Sequence, residues 1–97
     1  MTTIVTGNRC SATVGVEWAR YGINVVGFAP GYVETGLNAE ALAGDQVRAA
    51  LTRTIPVRRI ATAEEIARLV VSVLTANAGF LTGETITMDG GQQAVRL

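Results

Sequence analysis

Short runs of β-branched and apolar residues predict three strands in this chain. They occupy residues 2–6, 23–28 and 85–88, and turn residues bound each of them. The run at 23–28 is nearly continuous rather than alternating, which is typical of a parallel strand that is buried on both faces. We therefore expect this strand to lie at the centre of a sheet.

Two helical stretches are predicted between these strands before the clearest helix. In residues 11–21, Val14, Trp18 and Tyr21 recur at i, i+4 and i+7, and Gly22 follows as a helix-ending residue. Residues 39–51 have mixed polarity and predict a second helical stretch that belongs to a lid or flap.

The clearest helix signal follows Thr62. Its hydroxyl and the Glu65 carboxylate three residues later have the spacing of a capping box. The apolar face of the helix comprises Ile66, Leu69, Val70, Val73 and Leu74. Asn77 and the glycine two residues later end the pattern.

The order of these elements predicts the fold class. Strands that alternate with helices imply right-handed βαβ units and a parallel sheet. We predict an α/β protein, a partial Rossmann-like three-layer fold with about three parallel strands and flanking helices. Residues 1–97 form one domain in this prediction, with a loop at 31–37 and a variable flap at 36–54. Pro30-Gly31 follows a strand, where ligands bind in open α/β sheets.

Composition narrows the possible partners. The chain is 48% hydrophobic and 16% charged, which favours a homo-oligomer or a partner that covers apolar surface. Its eight cations are arginines, scattered apart from Arg58-Arg59, so no basic stripe for nucleic acid is present. No apolar run could span a membrane, and the lone Cys10 favours a reducing, cytoplasmic location. With no histidine, no metal site is expected.

Three segments resemble the carboxy-terminal part of the short-chain dehydrogenase/reductase family. They are EWARYGINVVGFAPGYVET (17–35), IPVRRIATAEEIA (55–67) and FLTGETITMDGG (80–91), in the family's order and approximate spacing. The resemblance implies an oxidoreductase with NAD or NADP as cofactor and a flap that closes over substrate. The cofactor-binding positions that match are Pro30, Gly31, Val33 and Thr35, in the loop after the family's sixth strand.

Elementary chemistry agrees with that assignment but leaves alternatives open. A Pro-Gly turn lets the backbone approach a flat ring, and the Thr35 hydroxyl suits a phosphate oxygen. The alternatives are an ordinary loop that leaves a strand and a Thr35 hydroxyl that only caps a turn. Arg58-Arg59 could meet a phosphate or lie in a solvated loop. Trp18 and Tyr21 are assigned to a core or an interface rather than to a stacking platform.

The chain also departs from the family pattern. It contains no lysine, so neither Tyr21 nor Tyr32 can begin a Tyr-x-x-x-Lys motif, and no catalytic residue is assigned. After Thr6-Gly7 no glycine occurs until Gly15, so the glycine-rich phosphate loop is missing. Arg58 and Ala61 stand where the family commonly has glycines.

These departures predict a chain of oxidoreductase ancestry that is inactive alone. Residues 1–7 look like the family's first strand although residue 17 onward matches a later helix, which suggests a truncated or internally deleted gene. The alternatives are a non-enzymatic oligomerising or binding module and a fragment without physiological role. The substrate and the choice between NAD and NADP stay open.

Overall fold

The computed structural model describes residues 2–7 and 11–96. Residues 8–10, which include Cys10, lie outside the described residues. They belong to the stretch that lacks the glycine fingerprint. The strands are β1 Thr2–Thr6, β2 Ile23–Pro30, β3 Val33–Glu34, β4 Ala61–Thr62 and β5 Glu84–Met88. The helices are α1 Ser11–Trp18, α2 Asp45–Arg53 and α3 Ala63–Thr75, with 3-10 turns at Ala19–Tyr21 and Gln93–Arg96.

The described residues group into two compact units. The first holds residues up to Ala29 together with Ala67–Thr87, and the second holds Pro30–Ile66 together with the residues from Met88 onward. The first unit contains a parallel sheet of order β1-β2-β5, in which Thr2 lies opposite Ile23. The predicted α/β class with about three parallel strands is confirmed. The prediction of a single domain stays a prediction.

The central strand β2 carries the core of the first unit. Val25, Val26 and Phe28 are buried, as the continuous apolar run predicts. Burying each such side chain contributes about 1.5–3 kcal/mol relative to leaving it exposed. Asn24 interrupts the run but is also buried, and its Nδ2 donates a hydrogen bond to the Ala78 carbonyl at 3.2 Å. Because its side-chain amide has this partner, Asn24 can be buried away from water.

Helix α1 lies against the turn before β5 through a contact that needs glycine. A Cβ at Gly15 would lie 2.8 Å from the Gly83 Cα, closer than real Cβ atoms approach backbone. Gly15 therefore permits close backbone contact, which offsets its low helix propensity. At the start of the helix, the Ser11 and Thr85 hydroxyls share a hydrogen bond of 3.0 Å.

The end of this helical segment matches its predicted position. A 3-10 turn extends α1 to Tyr21, and Gly22 adopts the left-handed conformation (φ 73°) that favours glycine. Trp18 and Tyr21 are 38% and 69% exposed, so neither is a core residue of the described structure.

The second unit contains a strand pair that sequence patterns do not reveal. β3 and β4 pair in parallel, with Val33 opposite Ala61, and β3 lies inside the segment 31–37 that is predicted as a loop. Two-residue strands are too short for a periodic signal. The predicted start of the flap helix at residue 39 is wrong. Residues 36–42 form turns, and α2 begins at Asp45, whose carboxylate complements the helix dipole.

The capping box at the start of α3 is confirmed. The Thr62 amide donates to the Glu65 carboxylate at 2.7 Å, and the Glu65 amide donates to the Thr62 hydroxyl at 3.2 Å. Arg59 adds two hydrogen bonds to the same carboxylate at 2.6 and 2.8 Å, and these raise the pKa of its guanidinium. The helix ends at Thr75. Among the described residues, no helix has the length and apolarity that a bilayer crossing requires.

Candidate functional site

The candidate site begins where β2 ends, at Pro30 and Gly31. The Gly31 amide donates to the Met88 carbonyl at 3.0 Å. A Cβ at Gly31 would lie 2.9 Å from the Asp89 Cβ and 3.0 Å from its Cα. Gly31 therefore lies so close to Asp89 of the same chain that a side chain at position 31 would not fit. Both Pro30 and Gly31 are exposed to solvent.

Asn38 ties Val33 and Thr35 together. Its Oδ1 accepts the Thr35 amide at 2.7 Å, and its Nδ2 donates to the Val33 carbonyl at 2.8 Å. The Thr35 hydroxyl also reaches the Asn38 Oδ1, but at 3.4 Å, near the limit for a hydrogen bond. The exposed Thr35 hydroxyl is therefore available to a ligand, while the Thr35 amide already has a partner.

An ion pair connects this loop to the flap. The Arg48 Nη2 lies 2.8 Å from the Glu34 Oε1, and the Arg48 Nε donates to the Leu42 carbonyl at 3.2 Å. Leu42 is buried. One α2 side chain therefore connects β3 to the turns that precede α2. Because the pair is more than a third exposed, it contributes roughly 0.2–1 kcal/mol.

Asp89 organises the turn that follows β5. Its two carboxylate oxygens accept the amides of Gly91 at 3.0 Å and Gln93 at 2.8 Å. The Val57 amide donates to the Gly90 carbonyl at 3.1 Å, so the turn is joined to the segment that follows α2. The Asp89 carboxylate therefore serves the local turn.

The titratable side chains of this region are mostly engaged with other groups. Glu34 and Asp89, the carboxylates near the loop, already hold an arginine and two amides. Tyr32 is 45% exposed, but the sequence holds no lysine that could pair with its hydroxyl. In the part of the chain that is described, no group of acidic, histidine or cysteine side chains could hold a metal ion.

The four predicted positions thus lie in one short segment of the second unit. The structure brings Val33 and Thr35 together through Asn38 and brings Gly31 to Asp89. Their cofactor role stays a prediction. Sequence reasoning missed Asn38, although an asparagine three residues after a threonine that follows a strand is a common turn signal.

Two departures from the family pattern also have structural outcomes. Arg58 has a positive φ of 65°, a conformation that favours glycine. Ala61, by contrast, lies in β4, and its amide donates to the Tyr32 carbonyl at 3.1 Å. Of these two positions, only Arg58 therefore has a side chain on a backbone conformation that favours glycine.

Known proteins are similar to this chain in sequence and fold. The family model described as enoyl-(acyl carrier protein) reductase matches residues 8–93. An uncharacterized short-chain type dehydrogenase/reductase of Sinorhizobium fredii is 40% identical over 84 residues, 86% of this chain and 15% of that protein. A probable 2,4-dienoyl-CoA reductase of Bacillus subtilis is 40% identical over 82% of this chain and 32% of its own length.

A solved structure extends the similarity to the fold. A putative 2-deoxy-d-gluconate 3-dehydrogenase from Agrobacterium tumefaciens with bound NADP superposes with a TM-score of 0.76 at 39% identity. The match covers 87% of this chain and 34% of that one. The chain therefore spans about a third or less of the length of these relatives.

Proposed function

Because the chain belongs to the short-chain dehydrogenase/reductase family, we propose that its loop at residues 30–35 forms the nicotinamide side of an NAD(P) site. The observation that carries the proposal is the exposed Pro30-Gly31 turn at the end of β2, together with the exposed Thr35 hydroxyl directly after β3. The bound NADP in the similar dehydrogenase structure supports the choice of cofactor.

The contacts of this loop fit only part of such a cofactor. The Thr35 hydroxyl can turn to a carboxamide or phosphate oxygen because its bond to Asn38 is long. The amides of Gly31 and Thr35 already donate within the chain, so they add little to phosphate binding. No glycine follows Gly7 until Gly15, so the sequence lacks the phosphate cradle. We therefore expect weak binding.

We further propose that the chain does not transfer hydride by itself. The bound cofactor would supply the hydride, but the chain has neither lysine nor histidine to assist the proton transfer. Hydride transfer would need the phosphate loop and the Tyr-x-x-x-Lys motif from outside these 97 residues. A cytoplasmic location belongs to the same proposal and is supported by the lone Cys10.

Fluorescence titration of the full chain with NADH and NADPH tests the cofactor site. We expect at least one of them to bind with a Kd of about 1 mM. Thr35→Val removes the hydroxyl and should weaken binding by about twofold to tenfold, the range for one neutral hydrogen bond. Thr87→Val, a matched exchange at an exposed position of β5, should leave it unchanged.

Two results would refute the site. One is the absence of binding by either nucleotide at about millimolar concentration. The other is equal affinity for the wild type and Thr35→Val, which would assign binding to another part of the chain.

A second candidate function is that of a non-enzymatic, self-associating module. Exposed apolar side chains on α1 and α3 favour it, with Val16 79% and Val71 54% exposed. The two functions are compatible, since a homo-oligomer could still carry partial cofactor sites.

A further inference from the structure

A cleft of about 720 Å³ opens in the second unit, lined by Tyr32, the end of α2, the segment after it and the C-terminal turn. This volume lies within the roughly 300–1,000 Å³ of small-molecule sites. Among the described residues, its lining includes two arginines, Arg53 and Arg58, and no acidic side chain. The cleft is therefore cationic although the chain as a whole carries no formal net charge.

Neither arginine is neutralised by a carboxylate in the described part of the chain. The ion pairs found there join Arg48 to Glu34 and Arg59 to Glu65. Asp89 uses both of its carboxylate oxygens on backbone amides. Two guanidinium groups that share a cleft without a counter-charge repel each other, and an anion between them removes that repulsion.

Arg58 is held in place at a conformational cost. Its Nη1 donates to the Arg53 carbonyl at 2.6 Å, which fixes the guanidinium beside the end of α2. Its backbone lies in the left-handed region (φ 65°), which side chains rarely adopt. Strained residues concentrate at sites that bind ligands, and here the strained residue is one of the two that carry the charge.

The rest of the cleft offers a polar edge and an apolar wall. The Gln92 Nε2 donates to the Thr54 Oγ1 at 3.0 Å, and that hydroxyl donates to the Leu51 carbonyl at 2.7 Å. These bonds join the C-terminal turn to the end of α2. Leu51, Pro56 and Val95 supply apolar lining.

We propose that this cleft binds an organic anion. The arginines take a carboxylate or phosphate-monoester head, because a planar guanidinium donates paired hydrogen bonds to either group. The apolar wall takes an aliphatic chain that is attached to the head. The proposal goes beyond the cofactor site because it assigns a ligand class to Arg53, Arg58 and the apolar wall, which the cofactor assignment does not use. Of the described residues that line the cleft, Tyr32 alone lies in the loop at 30–35.

Calorimetric titration of the full chain, with no nicotinamide cofactor present, tests the inference. The probes are octanoate, octyl phosphate and neutral octanol. We expect at least one anion to bind, with octanol at least about tenfold weaker. Arg53→Gln and Arg58→Gly should each lower the affinity for the anion by about tenfold. Arg68→Gln on α3, outside the cleft, should leave it unchanged.

Arg58→Gly separates binding from folding. Glycine suits the left-handed backbone at this position, so the variant should unfold no more readily than the wild type while it loses the guanidinium. Octanol that binds as tightly as the anions, or anion affinities unchanged in both cleft variants, would overturn the proposal. Binding of octanoate alone would assign a carboxylate head, and of octyl phosphate alone a phosphate head. Because no nucleotide is present, failure here leaves the NAD(P) proposal untouched.

Discussion

Arg58 has a left-handed backbone conformation that residues with a side chain disfavour. A left-handed conformation costs a residue with a side chain about 1–2 kcal/mol, and glycine adopts it without that cost. The resemblance places a glycine at this position in related reductases. The structure gives the physical reason for that preference, since φ is 65°.

Replacing this arginine should stabilise the fold. Arg58→Gly is expected to raise the free energy of unfolding by up to about 0.5 kcal/mol, because relief of the left-handed strain exceeds the backbone entropy of glycine and the loss of the exposed bond to the Arg53 carbonyl. Urea denaturation measures the change. Arg59→Gly is the matched control, since Arg59 has an ordinary backbone and bonds to Glu65. It should destabilise the chain. Equal destabilisation by both variants would contradict the account.

Gly31 presents the opposite case, in which space rather than conformation demands glycine. Gly31→Ala places a Cβ 2.9 Å from the Asp89 side chain and 3.0 Å from its backbone. We expect the free energy of unfolding to fall by about 1–3 kcal/mol, as in other overpacked sites. Gly36→Ala, where no atom lies within 4 Å of the new Cβ, should be neutral or stabilising. Thermal unfolding of the two variants decides between crowding and a general intolerance of alanine in the loop.

Among the elements, α3 depends most clearly on a local sequence motif. Thr62 and Glu65 satisfy each other's amides, and Arg59 joins the same carboxylate. These residues lie within six positions of one another, so no tertiary information is needed to bring them together. That is why the start of this helix could be predicted to the residue.

Removal of the cap hydroxyl should weaken α3 measurably. Thr62→Ala is expected to lower the free energy of unfolding by about 1 kcal/mol, because the Glu65 amide loses its acceptor. Thr75→Ala, at the other end of the same helix, loses exposed hydroxyl bonds to the Val71 and Ser72 carbonyls and should change stability by no more than about 0.5 kcal/mol. Denaturation followed by circular dichroism compares them. A larger loss at Thr75 would contradict the capping argument.

The strand order shows which strand position of the family β1 occupies. Residues 2–6 resemble the family's first strand, yet β1 pairs with β2, which matches the sixth. In the doubly wound order 3-2-1-4-5-6, the neighbour of the sixth strand is the fifth. β1 therefore occupies, by position, the place of a fifth strand, and the three strands form a contiguous sheet.

At the scale of the whole molecule, exposed apolar surface is the main feature. Val16 on α1 and Leu69, Val71 and Leu74 on α3 are all exposed, and no residue of α3 is fully buried. The predicted apolar face of α3 thus remains partly accessible in the isolated chain. Such surface favours association, consistent with the proposed homo-oligomer.

Self-association should respond to a charge on this surface. We expect the wild type to sediment as a dimer or larger species, and Val16→Glu to weaken association by at least about tenfold. Thr13→Glu adds the same charge at an exposed polar position of α1 and should have a smaller effect. Analytical ultracentrifugation over a range of concentrations distinguishes these cases. A wild-type chain that remains monomeric throughout would refute the prediction.

The sequence by itself determined the features that depend on near neighbours. The buried strand β2, the left-handed Gly22 and the capping box at Thr62 follow from runs, turn residues and spacings of a few positions. Their physical causes act within one turn or one strand. The family resemblance likewise rests on contiguous segments, and the match over residues 8–93 confirms it.

Tertiary structure alone decided which distant residues meet. The pairing of β3 with β4, the contact of Gly31 with Asp89 and the arginine cleft join segments more than twenty residues apart. No local pattern encodes such contacts, because each depends on how the chain closes its loops. The left-handed backbone at Arg58 belongs here too, since local propensity disfavours it and only its surroundings can hold it there.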